Sequence, residues 1–119
     1  MRNVPVQLLS GVDTANLIGT AVFVGQSIAG SVISTFGDAT AAGTVTLQGS
    51  NEPPEGDPNQ YTPSSGSFAV ITGASSTIAS GIGPAIVLQT MNFQYVRAVF
   101  AHSGGGSSTI LVSATFLDV

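Results

Sequence analysis

Apolar and polar side chains alternate with a period of two over much of this chain, and that pattern commits it to extended backbone. Residues 43–50 put Val45 and Leu47 on one side and Thr44, Thr46 and Gln48 on the other, as in a strand with one buried face. Residues 94–101 set Tyr95, Arg97 and Val99 against Val96, Ala98 and Phe100. Residues 108–117 set Ile110, Val112, Ala114 and Phe116 against Thr109, Leu111, Ser113 and Thr115. β-Branched residues are frequent, glycine is scattered throughout, and no segment sustains an apolar stripe at helical spacing. Shorter extended segments are expected at 5–9, 20–24, 28–36, 67–72 and 84–89. The fold class that follows is all-β: a single-domain antiparallel β-sandwich, jelly-roll-like. Residues 1–9 form an N-terminal arm or first strand, and residues 10–119 form the sandwich domain.

Between the last two alternating runs lies a glycine-rich connection, His102–Ser107, with Gly104, Gly105 and Gly106 at its centre. A short connection of this kind reads as the loop of a β-hairpin over 94–117. Residues 51–60 concentrate proline, acids and turn formers, and the same character continues to Gly66. Proline supplies no ladder donor, so this stretch is expected to be an exposed loop, and a loop this long in a small domain is commonly functional. Small residues at 72–77 and 80–84 read as linkers between short apolar runs.

Charge is the scarcest ingredient. Of 119 residues, two are basic and six acidic, lysine is absent, and the formal net charge is −4, where an ordinary domain devotes roughly a quarter of its residues to charge. Phosphate binding needs clustered Lys and Arg, so nucleic acid is not an expected partner. A polybasic membrane patch is missing for the same reason. No apolar run approaches the ~18–20 residues of a spanning helix, and the N-terminus has no continuous apolar core of a secretory signal. The absence of cysteine excludes disulfides and thiolate metal sites. Neutral, small-residue surfaces are poorly defended against association, and sheet edges without charges call for partners that cover them.

The same scarcity removes most of the raw material of catalysis, and no enzymatic activity is expected. Glu52, Glu55 and Asp57 form the one local concentration of carboxylates, but without the spacing of a calcium loop. With Tyr61 they are expected to mark an exposed loop that stays in water. His102 is the sole histidine and has no nucleophile-elbow pattern to serve, so it is expected to be a polar residue at a loop mouth. No metal, cofactor or catalytic residue is assigned. Arg97 stands in mid-strand between apolar neighbours, where an unpaired cation is costly. It must face solvent, pair with an acid such as Asp38, Glu52 or Asp118, or reach across an interface. The apolar N-terminal residues Val4, Val6, Leu8 and Leu9 are candidates for an arm laid onto a neighbouring subunit by strand addition.

Residues 43–51, with their Val-x-Leu-Gln-x-Ser-Asn run, and 94–100, with Tyr-Val-Arg-x-x-Phe, precede a glycine-rich turn and a last strand. This layout resembles small virion proteins of tailed phages and, more broadly, discoidin-like jelly rolls, over about half the chain. The resemblance implies a capsid decoration or cement protein on the outer phage head, assembled in the host cytoplasm, commonly as a homotrimer. Its expected partners are the major capsid protein and copies of itself, with no small-molecule ligand. The alternative is a carbohydrate- or host-receptor-binding β-sandwich module of a phage fibre or tail, recognising its ligand through the 51–66 loop. Sugar binding usually relies on an aromatic platform; this chain has no tryptophan, and Tyr61 is the aromatic nearest the loop's centre.

Overall fold

The computed structural model of the chain describes residues 5–12, 15–24, 28–36, 42–78, 86–87, 93–103 and 109–118, the backbone alone at 5–6, 28–36, 86–87 and 115–118. The strands are β1 (Pro5–Val12), β2 (Leu17–Ile18), β3 (Val22–Phe23), β4 (Ile28–Phe36), β5 (Gly43–Ser50), β6 (Ala69–Ile78), β7 (Ile86–Val87), β8 (Tyr95–His102) and β9 (Thr109–Asp118). They build two antiparallel sheets. The first has the order β1-β9-β4-β7, and the second β2-β8-β5-β6 with β3 also on β8. Strands β2 and β3 lie along the same edge of β8, Leu17 opposite Phe100 and Val22 opposite Val96, with one extra residue between them. They are one interrupted strand, so each sheet has four. Along the chain the backbone changes sheet at every connection except β5 to β6. That ordering is the jelly roll: two four-stranded sheets wound as paired Greek keys.

The alternation predicts the inward faces. Val45 and Leu47 of β5, Val96, Ala98 and Phe100 of β8, and Ile110, Val112 and Ala114 of β9 are all buried in one core cluster. Burying a side chain the size of Phe100 contributes roughly 2–3 kcal/mol. At β1 the register against β9 shifts between Gln7 and Leu9. The extra residue of a bulge breaks the strict two-sided alternation of a strand, and Leu8 and Leu9 both reach the core, 1% and 3% exposed.

Three expectations are corrected here. The 94–117 hairpin does not form, since β8 and β9 lie in opposite sheets. Each has a one-sided apolar face, and stacking the two across the core buries both, whereas pairing them would leave both faces waiting for a cover. Residues 72–77 are not a linker but the middle of β6, paired to the first half of β5. Thr72, Ser75 and Thr77 suit the outward side of an edge strand, while Ala74, Ser76 and the following Ile78 point inward and are buried. The register of β6 slips between Val70 and Ser75, and Gly73 takes up the slack with a φ of 80°, a value that favours glycine. Finally, Leu8 and Leu9 are core residues of this chain's own first strand and not an arm laid on a neighbour. The strand expected at 20–24 is confined to Val22–Phe23, and β2 at Leu17–Ile18 was not foreseen.

Where the two sheets meet at their β1 and β2 edges, Gly19 donates its N–H to the Ala98 carbonyl at 2.8 Å. A Cβ at this position would collide with the Leu8 carbonyl oxygen. Backbone on both sides leaves no flexible neighbour to give way. Replacing Gly19 by Ala is expected to destabilise the fold by about 3 kcal/mol, measured as a lowered urea midpoint. Gly66→Ala, whose added methyl meets open space, is expected to stay within about 0.5 kcal/mol of the parent.

Candidate functional site

The outward side chains of the β2/β3-β8-β5-β6 sheet fall into rows across the strands. Ile18, Val99, Thr46 and Ser75 make one row. Ala101, Thr44 and Thr77 make a second, and Arg97, Gln48 and Val70 a third. Ile18 is 64% exposed and Val70 61%, while Thr46 and Ser75 hydroxyls bond each other at 3.1 Å. Arg97 is the one charge in these rows.

The 51–68 connection between β5 and β6 folds back over the end of this face. Tyr95 lies on the outward side of β8 yet is only 1% exposed. Its hydroxyl donates to the Pro58 carbonyl at 2.7 Å, and its ring sits 5.4 Å from Phe23 and 6.2 Å from Tyr61, centroid to centroid. Burial, and then the charge of Asp57, push the Tyr95 hydroxyl above its ordinary pKa. Glu52 holds the loop closed from within. Its Oε2 accepts from the Ser64 backbone N–H at 2.7 Å and the Tyr61 hydroxyl at 2.9 Å, and its Oε1 from the Ser64 hydroxyl at 2.8 Å. The Ser64 backbone bond, then the Ser64 and Tyr61 hydroxyls, hold the Glu52 carboxyl below its ordinary 4.5. The Glu52 bond in turn raises Tyr61. At the base of the loop, Ser67 Oγ donates to the Ser64 carbonyl. A hydroxyl has one proton, so in the 2.7 Å Ser50–Ser67 contact it is Ser50 that donates. The buried Ser50 Oγ also accepts from the Glu52 N–H, which satisfies it as a buried hydroxyl requires.

Arg97 is half-buried beside this loop. Its Nε donates to Gln48 Oε1 at 2.9 Å, its Nη1 makes a longer contact of 3.4 Å to Ser65 Oγ, and its guanidinium carbon stands 4.0 Å from the centroid of the Phe68 ring. Stacking of this sort favours a planar cation over an aromatic face. Desolvation draws the Arg97 guanidinium below its ordinary pKa.

The structure thus brings Glu52 and Tyr61 into one hydrogen bond and sets Arg97 beside the same loop, without pairing Arg97 to Glu52. Glu55 and Asp57 are exposed at the loop tip, whereas Pro63 is buried and Glu52, Pro58 and Tyr61 are half-buried. The loop is therefore only partly in water. Asp38 and Val4 lie outside the described residues, and of Val6 only its backbone pairing with Ala114 is described. His102 closes β8, its N–H bonded to Asn16 Oδ1 at 2.8 Å. Among the described residues no group of three His, Cys, Asp or Glu converges as metal ligands would. The partners of Arg97 and the anchoring role of Tyr95 were missed in the sequence. Alternation places Gln48 and Arg97 outward, but which outward residues face each other is a matter of register. A separate cleft of about 200 Å³ opens at the β1–β2 edge beside Leu8 and Ile18.

No family model matches the chain, and no curated protein sequence matches it. Among solved structures, the PBSX exported protein XepA has a TM-score of 0.50 at 14% identity, over 98% of this chain and 37% of that one. The SPBc2 prophage-derived protein YomS gives 0.45 at 12%, covering 98% and 97%. A chitosan-binding module from a Paenibacillus sp. IK-5 chitosanase/glucanase gives 0.44 at 15%, covering 94% and 95%. The likeness to XepA is one of fold, and this chain spans little more than a third of XepA's length.

The Glu52 clasp has a defined pH dependence. A carboxyl depressed in the folded state stabilises the closed loop fully above its unfolded-state pKa, and that contribution is lost as pH falls through the lower folded value. Below about pH 4.5, the protection of the Ser64 amide against hydrogen exchange is expected to fall ahead of that of β5 and β8. Glu52→Gln is expected to show the low-pH protection pattern already at neutral pH.

Proposed function

We propose that this protein is a non-enzymatic structural component of a phage particle, a decoration or cement protein that binds the outer head together with other copies of itself. The observation that carries this reading is the outward face of the β2/β3-β8-β5-β6 sheet. Across four strands it presents Thr, Ser, Ala, Val, Ile and Gln with Arg97 as its one cation. Contact surfaces between proteins are depleted of charge at their centres, because an ion there must be desolvated without full compensation. A β-sheet face of short side chains is flat and can be covered without disturbing the sandwich. The fold is also that of the PBSX exported protein XepA.

Carbohydrate recognition by the 51–66 loop has less support. A sugar platform needs an open aromatic face. Here the Phe68 ring is stacked under Arg97, and Tyr61 packs towards Tyr95 with its hydroxyl committed to Glu52.

Cosedimentation with capsids stripped of this protein tests the reading. The parent chain is expected to sediment with such shells. The variant carrying Ile18→Lys and Ser75→Lys, both at exposed positions, is expected to keep its thermal midpoint and lose most of its occupancy. Absence of the parent from the shells, together with saturable binding on a glycan array that Tyr61→Ala abolishes, would favour the carbohydrate module.

A further inference from the structure

We propose that Arg97 is the receptor for a carboxylate of a second copy of this chain, that of Asp57 at the tip of the 51–68 loop. This rests on the reading of the sheet face as a protein contact and names the pair that orients it.

The guanidinium is built as a receptor. Gln48 holds Nε, the Phe68 ring supports one face of the plane, and Ser65 touches Nη1 only at 3.4 Å. Nη2 makes no hydrogen bond among the described residues. A planar fork fixed in this way has lost its side-chain freedom before any partner arrives, and its remaining N–H groups match the two oxygens of a carboxylate. No carboxylate among the described residues lies at ion-pair distance.

Within its own chain, no described acid other than those of the loop tip is free to meet it. Glu52 is saturated by three donors from Tyr61 and Ser64. Asp118 ends a strand of the opposite sheet. Asp13 and Asp38 lie outside the described residues.

Of the described acids Glu55 and Asp57 remain, and Asp57 is the one presented rigidly. Its Oδ1 accepts from the Asn59 N–H at 3.0 Å, and its carbonyl accepts from the N–H groups of Gln60 and Tyr61. The turn is pinned to the sheet by the Pro58–Tyr95 bond two residues from Arg97. Cation and acid therefore lie at the same end of the same face. A two-fold contact between copies would form the pair twice, since residue i meets j and j meets i; a closed ring would form it once per subunit. The uncharged rows of Val99, Thr46 and Ser75 then fill the space beside the pair, and in a chain so poor in charge this one contact fixes orientation.

Sedimentation velocity on the isolated full chain tests the pair. The parent is expected to self-associate, more weakly as salt rises. Arg97→Glu and Asp57→Arg are each expected to weaken association by about tenfold or more, and the variant carrying both is expected to regain it. Asp57→Asn keeps the acceptor for Asn59 and leaves Arg97 untouched, so its loss of association cannot come from a disturbed sheet. A parent that stays monomeric at all concentrations, association unchanged by Arg97→Glu, or no recovery in the double variant would each overturn the pair. If capsid binding persists in those cases and is still lost on Ile18→Lys with Ser75→Lys, the proposed function stands without this contact.

Discussion

Two inward faces, those of β5 and β8 in one sheet and of β1 and β9 in the other, have to cover each other, and the rest of the molecule is arranged around that requirement. Val45, Leu47, Val96 and Phe100 on one side and Leu8, Ile110 and Val112 on the other share one cluster with almost no exposure. No ion takes part in it. With only eight charged side chains in the whole chain, cohesion falls to apolar burial and to backbone ladders. Local irregularities serve the same end: the bulge at Leu8 turns a second leucine inward, and the slip around Gly73 lets β6 stay on the edge of β5 while Ala74 and Ile78 reach the core.

Four of the eight charges, Glu52, Glu55, Asp57 and Arg97, are gathered at one end of one face. Glu52 is internal to its loop, where two hydroxyls and a backbone N–H take the place of a counter-ion. A carboxylate so bound is nearly as well solvated as in water, which is why it costs little to hold. Arg97 is treated in the same way by neutral groups, an amide oxygen and an aromatic ring. The loop these residues organise covers Tyr95 and leaves Glu55 and Asp57 outward. The rows beyond it remain neutral, and a neutral flat face is the surface most easily covered by another protein.

Much of this was legible in the residues themselves. The division of 43–50 and 109–114 into inner and outer sides followed from alternation alone, because successive side chains of a strand must point to opposite faces. The extended segment at 28–36 was readable for its β-branched content. The loop at 51–66 declared itself by its prolines, but its clasp did not, since Ser64 is one of many serines until the chain closes on Glu52. Gln48 and Phe68 carried no mark that would join them to Arg97, forty-nine and twenty-nine residues away.

Sequence by itself determined that the chain would be extended, which sides of 43–50 and 109–114 would face inward, and that charge would play almost no part in the core. These are local properties, set by a two-residue period and by composition. Only the tertiary structure decided that β8 and β9 part company into opposite sheets, that residues 72–77 extend an edge strand, and that Leu8 and Leu9 belong to the chain's own core. Sheet membership and register depend on which distant faces bury one another best, and a strand's own residues are the same whichever partner wins.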